Sequence, residues 1–445
     1  MSEDRTRRDF LKKSAAAATA ATMLPAFAYA GESLDDDRPV PQAQPGATLG
    51  PDDPVRIGVI GTGGMGTGHV RSFMRMAANN EANVRIEALC DVCEPRLTRA
   101  RDAVNEVQGG EVALYADYKE LLARPDLHGV LIATPEHSHA MVGEDAIKAG
   151  KDVYFEKPMT LTLKDALRLR KVAAQNPQVV CCVGTQFVMT PSYLAAQQLI
   201  SDDAIGKPVW SQTSFCRNSK DGEWLYYGID PEWDPDVNID WKAWCEPQRR
   251  IPWNPEIYAR WRRYRAWSTG IIGDLLVHHM TPLVRALNPG WPVRVVASGG
   301  HYVDKAMENH DQVNLQIEFE REHTMIVVGS TANELGLERI VHGHKGNLYV
   351  GGRDALLRPE QLWIDEVDER EIPAPEPTVI NGREVRNEQN LLRLHWLDCI
   401  RSREAPISDI QLGTQIMVIV DLATRSLWEG GAFEFDLGRQ KVRKL

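Results

Sequence analysis

A parallel, doubly wound α/β domain followed by an α+β domain with a large, mostly antiparallel sheet is the architecture this 445-residue sequence predicts. Three observations carry it. Short apolar runs alternate with amphipathic segments from residue 55 to about 183. A glycine turn, Gly61-Thr62-Gly63-Gly64-Met65-Gly66, follows the first apolar run and opens the first helical pattern. Beyond residue 183 the period changes: Val313, Leu315, Ile317 and Phe319 alternate with Asn314, Gln316 and Glu318, as a sheet with one solvated face requires. A chain this long exceeds what one core usually organises, so two domains are expected, over 55–183 and 184–445.

The elements follow in order. Residues 55–60 are a buried strand, and 64–78 the helix after it. The second strand is 84–89, and its helix 95–107 starts at Pro95, where a missing N–H costs nothing. Strands are expected at 112–115, 129–133 and 153–155, with helical segments near 118–123 and 140–149. In the second domain the pattern predicts strands at 209–216, 293–297, 324–328 and 347–350. Long helices are expected at 270–287, 388–401 and 410–428.

Ahead of these lies an address label. Arg7-Arg8-Asp9-Phe10-Leu11-Lys12-Lys13 is a twin-arginine pattern, followed by a mild apolar run and the small-x-small site Ala28-Tyr29-Ala30. The run is too short and alanine-rich for a permanent membrane span, and no cysteine follows it to carry a lipid anchor. Residues 1–30 therefore read as a twin-arginine signal peptide that directs the folded protein to the periplasm or otherwise out of the cytoplasm. Residues 31–54, with Asp35-Asp36-Asp37 and five prolines, read as a flexible tether.

The composition is that of an ordinary globular protein, 43% apolar and 25% charged, with a formal net charge of −11. Loss of the leader, which has five basic and three acidic residues, brings it to −13. So acidic a balance disfavours nucleic acid and anionic membrane surfaces as partners and leaves a small molecule, with a homo-oligomer possible. The seven cysteines, Cys90, Cys93, Cys181, Cys182, Cys216, Cys245 and Cys399, have no framework spacing, and no second pair completes a zinc site with Cys90 and Cys93. They read as buried thiols, and no metal is expected.

The glycine turn sits where a dinucleotide-binding fold needs it. Gly61 permits the tight turn, Gly63 lets backbone approach a pyrophosphate, and Gly66 lets the helix sit close to the sheet. The helix N-terminus then offers unpaired N–H groups to the phosphates. Asp91 ends the second strand, where a carboxylate can take ribose hydroxyls and repel a 2′-phosphate. NAD is therefore favoured over NADP. A plain helix cap ahead of Pro95 is the other reading of Asp91.

Three further motifs follow in order: Ala133-Thr134-Pro135-Glu136-His137-Ser138-His139, then Gly150-Lys151, then Val153-Tyr154-Phe155-Glu156-Lys157-Pro158. With them, and with His395-Trp396-Leu397-Asp398-Cys399-Ile400-Arg401 late in the chain, the sequence resembles the glucose–fructose oxidoreductase/inositol dehydrogenase (Gfo/Idh/MocA) family. The likeness runs from residue 55 to the C-terminus and is tighter over the first domain. One departure is Phe187-Val188 after Gly184-Thr185-Gln186, where many members carry an arginine.

The resemblance implies an NAD(P)-dependent oxidoreductase acting on CH–OH groups of a sugar, sugar derivative or cyclitol. It implies that Thr134, Pro135, His139, Glu156 and Lys157 join the glycine turn and Asp91 around the cofactor. It also implies a lysine and a histidine at the nicotinamide, with the histidine four residues after an aspartate. Lys157 and Gly273-Asp274-Leu275-Leu276-Val277-His278 supply these. Oxidising a secondary alcohol removes a hydride from carbon and a proton from oxygen, so a group titrating near neutrality should touch the hydroxyl. His278 is the expected base, with Asp274 orienting it and Lys157 stabilising the alkoxide. His279 is the adjacent competitor. Some relatives instead use the same NAD transiently to cleave glycosides by elimination, which is the alternative activity. Nine of the twelve tryptophans lie between Trp210 and Trp291, and either stack on a sugar or pack a long insertion. The arginines Arg249, Arg250, Arg260, Arg262, Arg263 and Arg265 either read an acidic sugar or balance local acids and stack on the tryptophans.

Overall fold

The computed structural model describes residues 49, 50 and 52–445; the expected signal peptide, 1–30, and most of the expected tether, 31–54, lie outside them. From Val55 the chain builds a six-stranded parallel sheet, β1 (Val55–Ile60), β2 (Val84–Cys90), β3 (Ala113–Tyr115), β4 (Gly129–Ile132), β5 (Asp152–Phe155) and β6 (Cys181–Val183), in the order β3-β2-β1-β4-β5-β6. The reversal of direction between β1 and β4 opens a crevice at their carboxyl ends. Helices α1 (Gly64–Ala78), α2 (Glu94–Gln108), α3 (Tyr118–Leu122), α4 (His139–Lys148) and α5 (Leu163–Gln175) cross over between strands or follow them. The strands are apolar throughout because both faces are covered; β4 and β5 are buried at every position. β6 is a strand that the sequence pattern did not reveal, since Cys181-Cys182-Val183 is too short to show a period.

The second sheet has eleven strands. Its centre is β7 (Pro208–Asn218), β8 (Pro292–Gly300), β9 (Gln312–Phe319) and β10 (His323–Ser330), paired in the order β7-β10-β9-β8. The β7–β10 pair is parallel and the other pairs are antiparallel. The alternation read along β9 is real: Val313, Leu315, Ile317 and Phe319 are buried, and Asn314 and Gln316 are exposed. The inner face packs on the helices at Ile410–Glu429 and Val277–Leu287, with α6 (Pro191–Ser201) at one side.

Two features depart from a simple two-domain division. The helix Glu388–Ser402 returns to the first sheet, where Leu392, Trp396 and Ile400 enter the same core as Val55, Ile57 and Phe73. The helix expected at 270–287 also begins with a π-helical turn, Ile272–Leu276, before it becomes α-helical at Val277. Such a turn is often found at functional sites. Among the described residues no helix is long and apolar enough to cross a membrane, and no group of His, Cys, Asp or Glu is arranged to hold a metal. All seven cysteines are free thiols; six are buried and Cys216 is partly so.

Candidate active site

The glycine turn has the form its sequence demands. Gly61 adopts φ +87°, and a Cβ there would lie 2.6 Å from the Thr134 nitrogen. A Cβ on Gly66 would lie 1.8 Å from the Gly61 carbonyl oxygen, so only glycine allows α1 to start this close to β1. Gly64 has open space above it, and Gly63 has only the Arg96 guanidinium nearby, at 3.6 Å. No side chain caps α1, and its first turn carries no acid, so its leading N–H groups face an open cradle. The Thr134 hydroxyl beside it is buried without a partner. These features fit a dinucleotide pyrophosphate. Asp91 accepts from the Thr62 N–H at 2.6 Å, the Thr62 hydroxyl at 3.1 Å and the Cys93 N–H at 2.9 Å. It thus braces the turn as well as capping the next segment, and a carboxylate retains lone pairs for a ribose hydroxyl.

The strand end at Glu156-Lys157 is held by a buried chain of side chains. Arg393 Nε donates to His69 Nδ1 at 2.9 Å, and His69 Nε2 lies 2.7 Å from Glu156 Oε1. An arginine only donates, so Nδ1 accepts and the His69 proton sits on Nε2, directed at Glu156. The second Glu156 oxygen accepts the Lys157 N–H at 3.2 Å. Burial pushes Glu156 up, but the His69 hydrogen bond and the nearby Lys157 charge act the other way, and the carboxyl lies below its ordinary value. His139 joins two turns: its ring nitrogens lie 2.8 Å from the Pro158 carbonyl and 2.8 Å from the Thr134 carbonyl. Burial holds the ring neutral, so it donates to one of these carbonyls and only abuts the other; either way it acts on the cofactor cleft by holding the two turns together.

Lys157 reaches across to the π-helical turn. Its Nζ donates to the Asp274 carbonyl at 2.6 Å and to Asp274 Oδ1 at 3.0 Å. Arg262 Nε donates to the same Oδ1 at 2.8 Å. Burial alone would raise Asp274, but these two cations hold it far below the carboxylate range, so it is a fixed negative charge. His278 stands beside this group. Burial, then the Lys157 charge, pushes its imidazole down to about 3, and its Nδ1 is buried without a partner. Lys157, Asp274 and His278 are therefore brought together as the sequence suggested. The π-turn puts the Asp274 carboxylate on Lys157 and Arg262 and gives it no hydrogen bond to His278.

Two members of this cluster were not identified beforehand. Glu136 is 1% exposed, accepts from Thr269 N–H and hydroxyl at 3.2 Å each, and is raised by burial to about 8. It was visible as the carboxyl after Thr134-Pro135, but only the fold places it near Asp274. Arg262 belonged to the noted arginine cluster, and the balancing alternative holds for it. It pairs with Asp274 and lies 4.1 Å over the Trp261 ring. Arg263 likewise pairs with Asp304, and Arg260 with Glu256.

The tryptophans also follow the packing alternative. Trp241, Trp244 and Trp267 form a buried cluster with Cys93, Ile239, Cys245 and Tyr258, with Trp233, Trp253 and Trp261 packed against it. That cluster seals the insertion against the first domain. Asp240 N–H donates to the Val92 carbonyl at 2.9 Å and Glu94 N–H to the Asn238 carbonyl at 3.0 Å. His137 Nε2 lies 2.7 Å from the Trp244 carbonyl, and Arg96 stacks on Trp233 and Tyr258. The insertion thus clasps the loops after β2 and β4, on either side of the crevice. The aromatic rings beside His278 are instead Phe187, at 5.6 Å, and Phe215, at 6.2 Å.

Comparison with known proteins places this geometry. Residues 55–185 match the NAD-binding Rossmann fold of the GFO_IDH_MocA oxidoreductase family, and residues 236–434 match that family's C-terminal alpha/beta domain. Inositol 2-dehydrogenase 1 of Saccharopolyspora erythraea is 32% identical over 155 residues, 35% of this chain and 44% of that protein. A glycosyl hydrolase family 109 protein of Shewanella baltica is 32% identical over 177 residues, 38% of this chain and 37% of that protein. These matches span less than half the length of the curated relatives. A levoglucosan dehydrogenase solved with NADH and levoglucosan superposes with a TM-score of 0.65 at 18% identity, covering 86% of this chain and 99% of that one.

Proposed function

This chain belongs to the Gfo/Idh/MocA oxidoreductase family, whose first domain binds NAD, and from that premise we propose that it oxidises a secondary hydroxyl of a sugar, sugar derivative or cyclitol, or reduces the corresponding ketone. The carrying observation is the buried Lys157–Asp274–Arg262 group with the unpartnered His278 Nδ1 at the carboxyl edge of the parallel sheet. The cofactor supplies the hydride acceptor or donor. The glycine cradle and α1 N-terminus would hold its pyrophosphate, and Asp91 its adenosine ribose. Lys157 directs a cation at the substrate oxygen and stabilises alkoxide as it forms. His278 is neutral and meets the hydroxyl through Nδ1. Burial and Lys157 hold it at about 3, below the near-neutral value expected from the sequence. The negative charge forming on the substrate oxygen would raise it as it takes the proton. Asp274 takes no proton; it fixes Lys157 and Arg262.

The relatives support this substrate class: inositol 2-dehydrogenases by sequence, levoglucosan dehydrogenase by fold. The clasp over both sides of the crevice supports a cofactor that stays bound through turnover. Retention would suit an exported enzyme that carries its nucleotide out in the folded state through the twin-arginine leader. The glycosyl hydrolase family 109 matches favour a second reading, in which a glycoside is oxidised transiently and lost by elimination. The test is a panel of monosaccharides, cyclitols and glycosides incubated with purified holoprotein, with cofactor absorbance and product mass followed together. Loss of two mass units with cofactor reduction supports the dehydrogenase; aglycone release without net oxidation supports the second reading. Turnover of acyclic alcohols alone would overturn the substrate class.

A further inference from the structure

We propose that the substrate carries a carboxylate, and that Arg339, bonded to His279 beside His278, receives it. This deepens the proposed function and takes its carbohydrate framework from it.

The two histidines belong to one packed group of rings. Phe187 lies parallel to His279 at 4.9 Å and meets His278 at 5.6 Å, while Phe215 lies 5.3 Å from His279. Each histidine has its own cation: Lys157 acts on His278, and Arg339 acts on His279. Phe187 occupies the stretch where the family resemblance expects an arginine, and the guanidinium bonded to its ring neighbour His279 is Arg339.

Arg339 Nη2 donates to His279 Nε2 at 3.2 Å. The acceptor role of Nε2 puts the His279 proton on Nδ1, and that Nδ1 is buried without a partner. Arg339 Nε is buried without a partner as well, and so is the hydroxyl of Tyr193, a residue 2% exposed that feels the same guanidinium. Three buried donors around this guanidinium therefore have no acceptor among the described residues, which suits a ligand rich in acceptors.

Charge selects among such ligands. Lys157 and Arg262 share Asp274, and Arg217, over the Phe215 ring, is paired with Glu223. Arg339 makes no ion pair among the described residues. A half-buried guanidinium without a counter-ion offers its fork to a planar carboxylate, which a neutral hydroxyl matches poorly. A uronic or aldonic acid, or a carboxylated cyclitol, meets both requirements.

The test compares matched pairs, glucose with glucuronate and galactose with galacturonate, on purified holoprotein. For at least one pair the acid should reduce bound cofactor with a KM some 30-fold or more below that of its neutral partner. Arg339→Met should raise the acid's KM by about 100-fold, the scale of one lost charged contact. The rise for the acid should exceed that for its neutral partner by at least about tenfold, and Arg339→Lys should restore part of the loss. Neutral sugars used as well as their acids, or equal KM shifts for both partners, would overturn the proposal and leave the hydride reading standing. Calorimetric titration of the acids separates the two ideas further. Saturable acid binding that Arg339→Met abolishes, without cofactor reduction, keeps the subsite and sinks the oxidoreductase reading. Neither binding nor reduction overturns both.

Discussion

His69 Nε2 lies 2.7 Å from Glu156 Oε1, and the two side chains are 0% and 6% exposed. The contact ties the first helix after the glycine turn to the strand end that presents Lys157. Arg393, brought in by the late helix, fixes which nitrogen carries the proton. Three distant segments thereby set the position of one lysine.

Removing the guanidinium should disturb that lysine as well as the fold. Arg393→Met leaves His69 Nδ1 and Asn390 without their donor, at a cost of about 1–3 kcal/mol each for buried groups. It also frees the His69 proton to move to Nδ1, leaving Glu156 Oε1 without its donor. We expect a lower denaturation midpoint, reduced kcat and a shifted pH profile with nucleotide still bound. A variant that loses stability but keeps the wild-type pH profile would show that the chain acts on folding alone.

Lys157→Met should nearly abolish turnover with cofactor retained. The substitution removes the cation that faces developing alkoxide and leaves the glycine cradle untouched. A single electrostatic stabiliser of this kind is worth about 10²–10³ in rate. Single-turnover reduction of bound cofactor, measured beside nucleotide content, checks both halves. Wild-type rates in this variant would remove Lys157 from the chemistry.

The two adjacent histidines should separate by kinetic parameter. His278 lies beside Lys157, whereas His279 is bonded to Arg339, so His278→Ala should lower kcat and His279→Ala should chiefly raise KM. Steady-state kinetics on both variants decides it. If His279→Ala is the one that loses kcat, the roles are exchanged.

How much of this was legible in the sequence depends on how local the cause is. The glycine turn, Asp91 and the strand ending at Lys157 are set by short-range geometry, and β1, α1 and β2 stand where the pattern put them. The spacing from Asp274 to His278 was also readable, but not the π-turn, because π-helical hydrogen bonding has no residue signature of its own. The tryptophans stayed ambiguous for a related reason. A flat ring packs a core as well as it stacks on a sugar, and only the contact of Ile239 and Trp244 with Cys93 and His137 shows which. Contacts such as Arg393 to His69 join residues 324 apart and leave no periodic trace.

Loosening the clasp should loosen the cofactor. Trp244 is 5% exposed, stacks on Trp241 at 4.6 Å, packs at a tilt against Trp267 at 4.8 Å, and its carbonyl meets His137. Trp244→Ala leaves a cavity costing about 3–5 kcal/mol, borne by the insertion. We expect nucleotide to be lost on gel filtration, with activity restored by added NAD. A folded variant that keeps its full nucleotide content would show that the insertion does not govern retention.

Glu136 should make stability depend on pH where few other groups titrate. Its folded pKa is raised by burial to about 8, against an ordinary 4.5, so the folded state holds the proton more tightly than the unfolded chain. The resulting stabilisation is complete below the unfolded pKa and is lost as pH rises through the folded one, at up to about 1.4 kcal/mol per pH unit. The buried histidines have the opposite sign: His278 and His279 are pushed down to about 3, so their contribution rises with pH and is complete once their ordinary value is passed. Between about pH 7 and pH 8 the Glu136 effect therefore stands nearly alone. Wild-type urea midpoints should fall across that interval, while Glu136→Gln, which keeps the shape without the proton, should stay flat. Parallel curves for the two proteins would mean that Glu136 is already ionised beside Asp274, and that the site carries one more negative charge than its burial suggests.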